Sequence, residues 1–197
     1  MPDDMPNQPA PATVRRRALI PNGVLGMLLF VIVEIMFFAG FISAFIIARA
    51  TARPGMWPPP DQPRLPFEET AFNTGALLVS GVLLVVAHFI HKKDPSKARP
   101  WLIGSIVLGA LFVVLQGSEW LAMIQQGLTL TSSTMGSFFY TIVGCHGLHA
   151  VIALGGLLYA LARLWRGTLK PVELWTVEVF WFFVVGLWPF IYVLIYR

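Results

Sequence analysis

The sequence predicts an all-α membrane protein with five transmembrane helices. Three observations support this prediction: 56% of the 197 residues are hydrophobic, only 12% are charged, and the apolar residues are gathered into five long runs. A water-soluble domain has about 25% charged residues, because its surface must be solvated. This chain lacks that polar surface, so a soluble globular enzyme is excluded. Each apolar run is long enough to cross a bilayer as a helix of about 20 residues.

The chain divides into an N-terminal tail and one membrane domain. Residues 1–22 are polar and proline-rich, so we predict a disordered cytoplasmic tail. Residues 23–197 form the predicted membrane domain. Its runs lack the alternation of barrel strands, and backbone groups in lipid must bond within their own segment, so helices are expected. The predicted spans are about 23–48, 71–91, 101–125, 135–162 and 173–196.

The basic residues are interpreted as topology signals and not as a nucleic-acid surface. Five spans place ten of the fourteen Lys and Arg residues on one side of the membrane and four on the other. Cytoplasmic loops carry the excess of Lys and Arg. We therefore predict a multi-pass protein of the cell inner membrane, with a cytoplasmic N-terminus and an external C-terminus. The ten residues are Arg15, Arg16, Arg17, Lys92, Lys93, Lys97, Arg99, Arg163, Arg166 and Lys170.

Ionisable groups inside the spans are the candidate site residues, because each costs a few kcal/mol in lipid unless it has a partner. Glu34 lies near the centre of the first span, His149 near the centre of the fourth, and His146 one turn outward. Glu119 shares a face of the third span with Gln116. A proton relay is one hypothesis. We favour a neutral carboxylic acid at Glu34, bonded to a neighbouring helix or a lipid headgroup, because the sequence offers no chain of such groups across the bilayer.

A metal or haem site in this chain is not predicted. His146 and His149 share a helix face, but a metal site needs further ligands, and only Glu34 or Glu119 could supply one. Haem between two helices needs histidines at equal depth, whereas the histidines of the second span lie near the cytoplasmic surface. The residues alone therefore indicate either a subunit of a larger complex or a small transporter or channel.

Short segments of defined spacing follow one another along the spans. They include VEIMFFAGF at 33–41, WPP beginning at Trp57, FNTGALLVSG at 72–81 with Asn73, Ser80 and Gly81, LGALFVVLQGSEW at 108–120, GSFF at 136–139, and GCHGLH at 144–149 beginning with Gly144. These segments resemble, in order, the motifs of subunit III of the haem–copper oxidase family, which comprises cytochrome c and quinol oxidases. The resemblance covers about residues 24–197.

The sequence departs from the family pattern in three respects. It has five predicted spans and resembles a form that lacks the first two of seven helices. Cys145 stands where an aromatic residue is usual. The closing motif, W-H-F-V-D-x-x-W in the family, runs here from Trp181 to Trp188 with Phe182 and Val185 in place of the histidine and aspartate. Polar contacts made by those two family residues are therefore not assigned to this chain.

The resemblance implies a non-catalytic subunit III of a bacterial-type terminal oxidase. In such a complex the catalytic subunit I, not this chain, holds haem and copper, reduces oxygen to water and pumps protons. The implied partners are subunit I, other oxidase subunits and phospholipid held in a cleft. Glu34, His146, His149, Gln116 and Glu119 are then expected to be structural or lipid-cleft residues. The alternatives are a subunit III-like partner of a nitric oxide reductase and a small membrane transporter or channel.

Overall fold

The computed structural model describes residues 20–53, 55–59, 63, 65 and 67–196, and their secondary structure consists of five α-helices. All five are long and apolar enough to cross a membrane, which confirms the predicted fold. Most of the predicted tail, residues 1–19, lies outside the described residues. The helices are α1 (Asn22–Ala50), α2 (Phe67–His91), α3 (Pro95–Gln125), α4 (Thr134–Trp165) and α5 (Pro171–Tyr196).

Side-chain caps mark the first residues of two helices. The Asp94 carboxylate accepts a hydrogen bond from the Ser96 backbone N–H at 3.0 Å, so α3 begins at Pro95, before the apolar run. The same hydrogen bond lowers the pKa of Asp94. At the start of α4, the Ser133 hydroxyl accepts from the Gly136 backbone N–H at 3.0 Å. Hydrophobicity thus locates the spans, whereas local capping sets where the helices start.

The helices form a bundle with α1 at its edge. Helix α2 packs mainly on α3, α4 packs on α3 and α5, and α1 contacts only α4 and α5 among the described helices. The outward surface of α1 is apolar and exposed, with Val33, Met36 and Ile47 each more than 60% accessible. We call the end of the bundle where α2 and α4 finish and α3 and α5 begin the basic end, and the other the opposite end.

Small residues allow large side chains to fit between the helices. A Cβ at Gly109 would lie 2.5 Å from the Trp181 ring, so this glycine on α3 makes room for a fully buried indole of α5. A Cβ at Gly81 would lie 3.0 Å from Val185. Val185 is therefore a packing residue against α2, at a position where the family motif has an aspartate.

Candidate functional site

Helix α1 is joined to α4 by a contact between Glu34 and His149. The Glu34 Oε2 and His149 Nε2 atoms are 3.1 Å apart, and both side chains are largely buried. The His149 Nδ1 atom lies 2.6 Å from the Cys145 carbonyl oxygen. Because a carbonyl only accepts, Nδ1 is the protonated nitrogen. The Nε2 atom is therefore the ring nitrogen that faces the Glu34 carboxyl group of α1.

His146 has different surroundings, although it lies only one turn from His149. It is 1% exposed, and its ring lies 4.9 Å from that of Trp188 and near those of Phe38 and Phe112. Neither ring nitrogen has a hydrogen-bond partner among the described residues. The sequence places both histidines on one face, but the structure directs His149 to α1 and packs His146 against α5.

A polar network surrounds Glu119 towards the opposite end of the bundle. Its carboxylate accepts hydrogen bonds from Thr70 Oγ1 at 2.9 Å, Asn73 Nδ2 at 2.5 Å and Gln116 Nε2 at 3.0 Å. Gln116 Nε2 also donates to the Tyr196 hydroxyl at 3.0 Å. The network therefore links α2, α3 and α5. The sequence predicts that Gln116 and Glu119 share a face, but it does not reveal their partners on α2 and α5.

Two further contacts join α2 to α3 and α5 through residues of the family motifs. The Trp188 indole N–H donates to Thr74 Oγ1 at 2.9 Å. The Ser80 hydroxyl donates to the Ser105 carbonyl at 2.8 Å, with the two hydroxyl oxygens 3.1 Å apart. Both serines are fully buried. These motif residues thus bond other helices of the same chain.

Sequence reasoning misses one buried contact near the basic end. His88 Nδ1 and Glu178 Oε2 are 2.6 Å apart, and Glu178 is 1% exposed. The signal was available, since His88 lies three residues before the end of α2 and Glu178 seven residues after the start of α5. Antiparallel helices place such residues at similar depth.

The remaining predicted site residues serve mainly in packing. Trp57 lies 5.6 Å from Phe45, ring centre to ring centre, and a Cβ at Gly144 would lie 3.5 Å from Trp120. Phe182 is partly exposed and lines an apolar groove between α1 and α5. Within the described part of the chain, no three His, Cys, Asp or Glu side chains are grouped closely enough to hold a metal ion.

Residues 15–197 match a family model described as cytochrome c oxidase subunit III. The chain is 36% identical to cytochrome c oxidase subunit 3 of Pongo abelii and 35% identical to that of Dasypus novemcinctus, and each match covers 87% of this chain and 67% of the relative. It is 32% identical to the probable cytochrome c oxidase subunit 3 of Nocardia farcinica, over 89% of this chain and 88% of that protein. The last match spans most of both chains.

Proposed function

The chain belongs to the cytochrome c oxidase subunit III family, and we propose that it is the non-catalytic subunit III of a bacterial-type haem–copper terminal oxidase. In this role it stabilises the catalytic subunit I and holds phospholipid in a cleft. The haem and copper of the partner subunits reduce oxygen to water and drive proton pumping. This chain holds no haem or copper of its own and supplies a membrane scaffold.

One observation supports a scaffold role above the others. The polar residues of the family motifs contact one another across the helices, as Glu34 does with His149 and Glu119 with Asn73. Side chains whose hydrogen bonds are used between helices are not free to bind a substrate. Together these contacts involve all five described helices, and a fixed arrangement of helices is what a partner subunit needs from a supporting surface.

The surface of α1 supports contacts with lipid or a partner subunit. Its outward residues are large and apolar, and a groove of about 720 Å³ runs between α1 and α5 past Phe182 and Phe190. An apolar groove of this kind suits an acyl chain or an apolar helix. Association through such surfaces does not depend on ion pairs, so it should withstand high salt and weaken when detergent removes lipid.

Co-purification tests the proposed function. We expect the tagged chain, extracted in mild detergent, to retain a haem-bearing partner that consumes oxygen and shows a Soret band, while the separated chain shows none. A stoichiometric Soret band in the separated chain would contradict the proposal. Recovery with a partner that reduces nitric oxide but not oxygen would replace it with the reductase alternative, and recovery without any haem protein would favour a transporter or channel.

The proposed topology follows from the distribution of basic residues and has its own test. We expect the N-terminus in the cytoplasm and the C-terminus outside the inner membrane, because ten of fourteen Lys and Arg residues fall on the N-terminal side. Reporter fusions at the two ends should give opposite signals, with a cytoplasm-dependent fluorescent protein active only at the N-terminus. Fluorescence from a fusion at the C-terminus alone would reverse the orientation.

Glu34 is proposed to hold α1 in place and not to transfer protons during oxygen reduction. Glu34→Gln keeps the shape, and its amide N–H can donate to His149 Nε2, since Nδ1 already bonds the Cys145 carbonyl. The initial oxygen consumption of this variant complex should therefore match that of the unsubstituted complex. Glu34→Ala removes the bond and leaves His149 Nε2 unpaired, so subunit retention or active lifetime should fall.

The two Glu34 variants are compared by steady-state oxygen consumption and by the amount of subunit retained after purification. Loss of turnover in Glu34→Gln with the subunit fully retained would assign proton chemistry to the carboxyl. Equal behaviour of both variants in retention would show that the contact with His149 does not hold the subunit.

A further inference from the structure

A cavity of about 480 Å³ lies at the basic end of the bundle, among the ends of four helices. Its polar wall is formed by His91, Lys92, Ser96 and Arg99, where α2 ends and α3 begins. The wall on the other side is apolar and comes from the end of α4 and the segment before α5, including Leu169. One side of the cavity therefore suits a charged group and the other suits hydrocarbon.

Neither cation at this cavity is paired with a carboxylate among the described residues. Lys92 and Arg99 form no ion pair with any described residue, whereas the neighbouring Lys97 lies 3.5 Å from Asp94. None of the residues lining the cavity is acidic. The buried carboxylate of Glu178, which is close in the fold, does not line the cavity and contacts His88. An anion in the cavity would face two cations, and the Asp94 carboxylate, which accepts from the Ser96 N–H, lies outside the wall.

Two buried polar atoms at the same cavity also lack partners. Arg99 Nε is buried without a hydrogen-bond partner among the described residues, and so is Nδ1 of His91, whose residue is only 9% exposed. A guanidinium group presents several donors in a fixed plane and matches phosphate oxygens well. The two cations and the unpartnered Arg99 Nε–H thus favour the same kind of ligand.

We infer that this cavity binds the phosphate group of a phosphate ester. Lys92 and Arg99 would contact the phosphate oxygens, and the apolar wall would contact the rest of the molecule. The ligand is either a phospholipid headgroup from the adjoining leaflet or a soluble phosphate compound. This site goes beyond the proposed function, because it rests only on the cavity and its charges and can be tested on the chain without its oxidase partners.

Native mass spectrometry of the full-length chain in mild detergent tests the site. The lipid probe is phosphatidylglycerol, with diacylglycerol as the analogue lacking phosphate. The soluble probe is inorganic phosphate, followed by ³¹P NMR line broadening. The site variant is Lys92→Gln/Arg99→Gln, and the matched control is Lys93→Gln/Lys97→Gln, which removes the same charge from exposed neighbours.

The expected result is a loss of phosphate-dependent binding in the site variant alone. Phosphatidylglycerol affinity should fall about tenfold or more, since hydrogen bonds to charged groups are lost, and the control should change less than about twofold. Diacylglycerol should bind weakly to every form. Line broadening of inorganic phosphate by the unsubstituted chain and the control, but not by the site variant, would support the site with a soluble ligand as its source.

Three outcomes would overturn the site: equal losses in the two double variants, unchanged binding in the site variant, or diacylglycerol binding as tight as that of phosphatidylglycerol. If the double variant does not fold, as judged by size-exclusion chromatography, Arg99→Lys replaces it. That variant keeps the charge but loses the planar donors, so the affinity for phosphatidylglycerol should fall about threefold. Unchanged affinity in Arg99→Lys and in Lys92→Gln would also reject the site.

Discussion

Trp188→Ala should destabilise the bundle by about 3–5 kcal/mol, the range for removing a fully buried large aromatic side chain. Trp188 is completely buried. Its ring lies 5.0 Å from Phe112 and 4.9 Å from His146, and its N–H bonds Thr74. One side chain of α5 therefore contacts α2, α3 and α4. Truncation leaves a large void, and His146, whose ring nitrogens have no partner among the described residues, loses the indole packed beside it.

The measurement is the free energy of unfolding in mixed micelles titrated with a denaturing detergent. Trp188→Phe keeps most of the ring contacts and loses the bond to Thr74, so it should cost only about 1 kcal/mol. Phe190→Ala is the matched control, because this aromatic residue of the same helix is 66% exposed and should change stability by less than about 0.5 kcal/mol. A Trp188→Ala effect no larger than that of Phe190→Ala would mean that the indole does not hold the helices together.

The sequence predicts the helices well because the lipid bilayer strongly restricts the backbone structures that can cross it. A backbone in the bilayer must bond internally, so each long apolar run must be a helix. The ends are less predictable, as α3 shows. Its first six residues, 95–100, include Ser96, Lys97 and Arg99 and fall outside the apolar run, yet the Asp94 cap and the proline start the helix there. Local hydrogen bonding decides that boundary, and hydropathy does not report it.

Depth along the spans is also readable from the sequence, whereas the direction of each face is not. Equal depth identifies His149 as a possible neighbour of Glu34, and the structure places the two 3.1 Å apart. By depth alone His146 is an equally good candidate neighbour of Glu34, but its ring packs against Trp188. The difference arises because helix rotation is set by interlocking residues such as Gly109 and Trp181. Such pairs depend on three-dimensional fit and leave no periodic pattern.

The Glu119 network shows a limit of depth matching. Asn73 lies six residues after the start of α2, and Glu119 lies six residues before the end of α3. The short loop joins the other ends of these helices, from which Asn73 lies 18 residues along α2 and Glu119 24 residues along α3, so equal depth is not predicted. The contact of Gln116 with Tyr196 joins residues eighty positions apart, and nothing local in the sequence predicts it.

Glu119→Ala should lower the free energy of unfolding by about 2 kcal/mol. The carboxylate accepts three hydrogen bonds from Thr70, Asn73 and Gln116, and an interhelical bond in a membrane protein contributes on average about 0.6 kcal/mol. Glu68→Ala is the matched control, since it removes an exposed carboxylate at the same end of the bundle and should have little effect.

A double-mutant cycle with Asn73→Ala isolates the contribution of the contact between α2 and α3. The two substitutions should be less than additive by about 0.5–1 kcal/mol, because each alone breaks the same bond. Unfolding in mixed micelles gives the four free energies, and chromatographic retention of the subunit in the complex gives a second reading. Strict additivity, or a Glu119→Ala effect equal to that of Glu68→Ala, would show that this partly buried carboxylate does not join the helices. If only the variants at positions 73 and 119 lose stability and subunit retention, the bond between α2 and α3 is one of the contacts that hold the helices of this subunit together.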